Sequence, residues 1–138
     1  MTESDSYFVA DTSSQGAGGG NWVTWSDLDP LEIIDGLRFQ PVLGKGLMVN
    51  FVTFEPKTVA PVHWHDEEQI SFVLDGELEF EVAGEKRIMK RGDAVVIPSN
   101  VPHGARTLDG TCLQVDAFHP PRRGLLDAIA AKAEGAGA

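Results

Sequence analysis

Residues 61–76 read PVHWHDEEQISFVLDG, from Pro61 to Gly76. His63 and His65 are two apart, the spacing that puts both side chains on one face of a strand and Trp64 on the other. Asp66-Glu67-Glu68 reads as a turn. Gln69 then opens a second strand, with Gln69, Ser71 and Val73 on one side and Ile70, Phe72 and Leu74 on the other. The two histidines and Gln69 are therefore expected to meet across a hairpin. Alternation turns Glu68 away from them, and Asp75-Gly76 reads as a tight hairpin turn.

Working outward, Gly and Pro recur densely between Pro30 and Pro121 and leave no room for a long helix. Short runs at roughly ten-residue spacing predict an all-β sandwich or barrel. The clearest run is Glu77 to Val82, where Leu78, Phe80 and Val82 face one way and Glu77, Glu79 and Glu81 the other. Further strands are expected over 31–34, 37–42, 47–54, 70–74, 86–89, 94–97 and 111–118, and Ala83-Gly84-Glu85 makes another turn. Leu125, Leu126, Ile129 and Ala130 share a helical face, so a short C-terminal helix is expected between Gly124 and Gly135. The organisation follows: a flexible tail over 1–21, a barrel over 22–123, and a short helix with a flexible tail over 124–138.

Composition excludes several functions. The net charge of -10 repels nucleic acid and anionic membrane surfaces, which need clustered Lys and Arg. No apolar run approaches a membrane-spanning length. The acidic start lacks the apolar core of a signal peptide, so a cytoplasmic location is expected. The single cysteine, Cys112, lies in an apolar run and reads as an inert small hydrophobe. An anionic small-molecule substrate remains compatible, because one arginine beside a cation outweighs a distant surface field.

A second segment, Gly92-Asp93 through Pro98 to Pro102-His103, adds a histidine held between Pro102 and Gly104. His63, His65, Gln69 and His103 together offer neutral donors suited to one divalent ion: Ni, Zn, Mn, Fe or Cu. The two segments resemble the paired motifs of the cupin superfamily: His-x-His-x3-Glu closed by a glycine, then Gly-Asp-x4-Pro-x3-Pro-His. The resemblance implies a double-stranded β-helix barrel, of jelly-roll type, with one metal inside. Gln69 stands where most metal cupins carry Glu. Four neutral donors leave the full dipositive charge on the ion, which favours Lewis acidity over oxidation.

On the last strand, Cys112, Gln114, Asp116 and Phe118 share a face. Pattern alone leaves open whether that face looks into the barrel. The run Asp116-x-Phe118-x-Pro120-x-Arg122 resembles the tail of small single-domain cupins that open unsaturated uronates from pectin or alginate breakdown. That resemblance implies Asp116 as acid or base, Arg122 as a carboxylate clamp or ion-pair partner, and Phe118 as an apolar wall. Gln114 and Ser71 join Phe118 as expected pocket residues, and Arg106 and Lys57 as possible anion contacts. His119 is expected to be merely exposed. Competing readings are a cupin dioxygenase, which Gln69 disfavours, a natural-product cyclase or isomerase, and a non-catalytic small-molecule-binding barrel. Open strand edges predict a homodimer, with the strand near Leu47–Phe54 and the segment Trp22–Trp25 as cover.

Overall fold

The computed structural model describes residues 7–8, 13 and 15–137. Of the tail expected over 1–21, residues 1–6, 9–12 and 14 lie outside the described residues. Ten strands follow in order: β1 (Leu31–Ile34), β2 (Leu37–Leu43), β3 (Met48–Phe54), β4 (Val59–His63), β5 (Glu68–Asp75), β6 (Glu77–Val82), β7 (Glu85–Lys90), β8 (Ala94–Ile97), β9 (His103–Arg106) and β10 (Cys112–His119). One helix, α1 (Arg123–Gly137), closes the described chain. Gly124 and Gly135 lie inside that helix and do not bracket it.

The strands form two antiparallel sheets, one of six in the order β1-β2-β3-β10-β5-β8 and one of four in the order β4-β9-β6-β7. Inward residues alternate along β3 and β6: Met48, Asn50, Val52 and Phe54, then Leu78 and Phe80, are all buried. Val52, Phe54, Leu78 and Phe80, with Leu37, Val73, Met89, Ile97 and Cys112, make one core between the sheets. A second cluster joins Met48, Phe118 and Leu125, and so seats α1 on one end of the barrel.

Two expectations change. The turn at Asp75-Gly76 is not a hairpin, because β5 and β6 belong to different sheets. Gly76 has φ +81°, and a Cβ there would lie 2.2 Å from the Thr111 carbonyl oxygen. Only glycine permits the chain to switch sheets so close to the neighbouring backbone. The residues from His63 to Gln69 likewise cross from one sheet to the other. His65 lies beyond the end of β4 in that crossing, so strand alternation is not what aims it. β3 pairs with both β2 and β10. The strands that end the two sheets are β1, β8, β4 and β7.

The N-terminal segment packs on its own chain. Gln40 Nε2 donates to the carbonyls of Trp25 (3.4 Å) and Leu28 (2.8 Å). The Trp25 ring lies 5.9 Å from that of Phe51. Among the described residues, no helix is long and apolar enough to cross a membrane.

Candidate metal centre and active site

β4, the crossing after it, and β9 bring the three histidines together. A register shift between Ala60 and His63 sets His63 opposite His103. Such a bulge re-aims a side chain at the cost of one ladder position. Gly104 makes this approach possible, since a Cβ there would lie 3.0 Å from the Ala60 carbonyl oxygen and 3.1 Å from the Val62 nitrogen. The ring centroids are 4.4 Å apart for His63 and His103, 5.0 Å for His65 and His103, and 5.7 Å for His63 and His65.

Each ring is held from behind. The Nδ1 of His63 meets the Pro61 carbonyl at 2.7 Å, that of His65 the Glu67 carbonyl at 3.1 Å, and that of His103 the Val101 carbonyl at 2.8 Å. Carbonyls only accept, so each Nδ1 carries the proton and each Nε2 keeps its lone pair. Burial lowers the pKa of all three rings, that of His103 to about 4, and the Arg122 charge lowers them further. They are neutral ligands at neutral pH.

Gln69, on the inner face of β5, completes the corner. Its Nε2 donates to Ser71 Oγ at 2.8 Å and to Asp116 Oδ1 at 3.1 Å. That fixes Oε1 towards His65, 3.1 Å from the unprotonated Nε2. Two acceptors therefore face each other with no proton to share. Among the described residues, His103 Nε2 is also buried without a hydrogen-bond partner. A cation resolves both conflicts, since ligand bonds of about 2.1 Å at right angles place donor atoms about 3 Å apart. The histidine ligand atoms all lie within 4.8 Å of one another. The donor set fits a divalent metal ion.

Asp116 faces inward on β10, which settles the orientation that pattern left open. Its Oδ1 takes hydrogen bonds from Ser71 Oγ (2.6 Å), Gln69 Nε2 and Gln114 Nε2. Among the described residues no hydrogen bond reaches Oδ2, which leaves that oxygen available to a ligand. Burial raises the Asp116 pKa to about 6, against the lowering from Ser71, Arg122, Gln69 and Gln114.

Arg122 follows the last strand and lines the same cavity as His63, Gln69, His103, Gln114 and Asp116. Its guanidinium carbon lies 5.8 Å from the Phe118 ring centroid. It makes no ion pair within 4.0 Å among the described residues. A half-buried guanidinium without a carboxylate partner is a ready anion site.

Of the expected pocket residues, Gln114 lines the cavity but Ser71 and Phe118 do not. Ser71 is fully buried behind Gln69 and Asp116, as their hydrogen-bond partner. Phe118 is buried behind His65, with ring centroids 5.8 Å apart, so it supports the ligand and Arg122 instead. Phe39, Phe54 and Phe80 are the phenylalanines that line the cavity. Arg106 pairs with Glu79 (2.9 Å) on the exposed side of β9, and Lys57 lies in an exposed turn and does not line the cavity. His119 is exposed, with Nδ1 donating to the Gly46 carbonyl.

Glu67 was read as part of a turn and has a larger part. It is buried, its Oε2 accepts from the Arg123 backbone N–H at 2.8 Å, and its Oε1 lies 3.4 Å from His65 Nδ1. It thereby ties the start of α1 to one of the three histidines that could hold a metal ion. Nothing in the run Asp66-Glu67-Glu68 distinguishes it from its exposed neighbours.

A family model described as a cupin domain matches residues 50–114. The pectin degradation protein KdgF of Dickeya dadantii (strain 3937) is 34% identical over 97 residues, 69% of this chain and 88% of that protein. The solved structure of KdgF from Halomonas sp. superposes with a TM-score of 0.73 at 32% identity, covering 78% of this chain and 99% of that one. An RmlC-like cupin from Shewanella frigidimarina NCIMB 400 gives a TM-score of 0.72 at 26% identity, covering 78% and 96%. Motifs, barrel and relatives agree, and the chain belongs to the cupin family.

Proposed function

We propose that this protein is a metal-dependent cupin isomerase that opens the ring of an unsaturated uronate. The reading is supported by its likeness to KdgF, whose description names pectin degradation. One observation carries it: the Gln69 amide faces the histidines with Oε1 and holds Asp116 with Nε2. A ligand corner and a carboxylate are thus joined through one side chain.

His63, His65, His103 and Gln69 would hold one divalent ion. When bound, it supplies Lewis acidity at a sugar oxygen. Arg122 grips the uronate carboxylate. Asp116, through its free Oδ2, takes the proton of the anomeric hydroxyl as the adjacent C–O ring bond breaks. The electron pair from that bond passes through the ring oxygen, which becomes a ketone, and the C=C carbon receives the proton. The linear keto product has the same atoms as the substrate. The raised pKa of Asp116 suits both accepting and returning a proton near neutrality.

The test is loss of ultraviolet absorbance from unsaturated uronates with metal-loaded protein, alongside elemental analysis. Removing the proton carrier in Asp116→Ala is expected to slow turnover by about 10²–10⁴-fold. His63→Ala is expected to lower metal content and rate together. Parent-like behaviour in both variants would sink the uronate reading.

A further inference from the structure

An apolar groove runs out of the site between β1 and α1. Ile33 and Ile34 form one wall, Leu125 and Ala128 the other, and Leu37, Phe39 and Ala60 lie along it. Its inner end is His63 and Arg122, which also line the metal cavity. Among the described residues, no other charged side chain lines it.

The construction of the groove is local. Successive residues in a regular strand face opposite sides, yet Ile33 and Ile34 both reach it. The register between β1 and β2 slips between Glu32 and Ile34, and this irregularity turns the pair to a common space. Both isoleucines stay exposed, at 44% and 39%. The walls are fixed to each other, because Lys132 on α1 donates to the Pro30 carbonyl at 2.7 Å and Leu31 packs against the cluster that holds Leu125. Gly124 adds open space at the helix start, with nothing within 4 Å of where a Cβ would lie.

A uronate monosaccharide has no use for this groove. Its hydroxyls need donors and acceptors, which the inner cavity supplies through Gln114, Asp116 and Gln69 and the groove walls do not. We propose that the groove is a second subsite, taking the aromatic or alkyl portion of a carboxylate substrate whose anionic end sits at Arg122. Continuity with the cavity argues for a substrate there, since one molecule can touch both, and the lone cation at the inner end sets its polarity. This rests on the Arg122 assignment above but not on the sugar.

The probes are 2-hydroxypropanoate and its 3-phenyl derivative, titrated calorimetrically into the full, Zn²⁺-loaded chain. The phenyl group is expected to tighten binding at least about tenfold, with a more negative heat-capacity change, as apolar burial requires. Ile34→Asp and Ala128→Asp are each expected to remove most of that gain and leave 2-hydroxypropanoate binding unchanged. Equal affinities for the two probes, or a gain that survives both substitutions, would overturn the subsite. So would an Ile34→Asp variant that converts a dimer to a monomer in sedimentation without touching the gain, which would give the groove to a second copy. The sugar reading is judged separately: absent uronate turnover with the phenyl gain intact defeats that reading alone, and turnover without the gain defeats the subsite alone.

Discussion

Two rows of side chains cross the inner face of the six-stranded sheet, and they have opposite characters. At one end of β10, Leu37, Phe54 and Cys112 lie side by side, all apolar and buried. Four residues further on, at Asp116, the row reads Asn50, Asp116 and Ser71, all polar and equally buried. The first row needs only matching volume, and with Leu78, Phe80 and Met89 it holds the sheets together. The second is costly to bury and is only partly satisfied: Asp116 Oδ1 is crowded with donors, while the Asn50 side chain has no hydrogen-bond partner among the described residues. A fold that keeps such a row trades stability for chemistry. Strength and reactivity are thus separated along the same strands.

The separation can be broken by mutation. Leu78→Ala, in the fully buried apolar part, is expected to lower unfolding free energy by about 2–5 kcal/mol, measured by denaturant titration. The folded fraction should still bind one metal ion per chain. Metal loss in step with the packing loss would show that the two regions are one unit.

A smaller effect sharpens the polar side. Gln69→Glu keeps a ligand oxygen but removes the donor to Asp116 and sets one carboxylate against another. Metal affinity is expected to hold or rise, because the new ligand is anionic. Turnover is expected to fall about 10–100-fold, the loss of one charge-assisted hydrogen bond. A variant as fast as the parent would mean that the amide link is incidental.

The smallest effect is an expected silence. Burial, with a further push from Asp75, raises the Cys112 thiol to about 11. Since the thiolate is the reactive form, folded protein at pH 8 should resist a thiol reagent and react once unfolded. Rapid stoichiometric labelling of the native chain would contradict the tight packing of the apolar row.

Much of this was legible in the sequence, for identifiable reasons. Glu77–Val82 declares itself because one face is buried and the other wet, so a period of two survives. The ligand set was readable because His, His, Gln and His recur at fixed spacings. The reading failed where position depends on distant chain. Nothing local in Asp75-Gly76 says whether the next strand pairs back or crosses to the other sheet. β9 escaped notice because His103-Gly-Ala-Arg lacks branched apolar residues and is shaped by pairing with β4 and β6. The inward face of β10 was ambiguous for a related reason. Val115 points outward yet is 2% exposed, since Phe51 and Phe72 flank it on both neighbouring strands. A central strand can lose its polar face. Glu67 was missed because burial by a helix 56 residues later leaves no local trace.

The most direct test of the account is a crystal structure of the metal-loaded chain with anomalous scattering at the metal edge. One ion is predicted per chain, about 2.0–2.2 Å from Nε2 of His63, His65 and His103 and from Oε1 of Gln69. An ion bound elsewhere, an ion that leaves Gln69 turned away, or no ion after loading would contradict it.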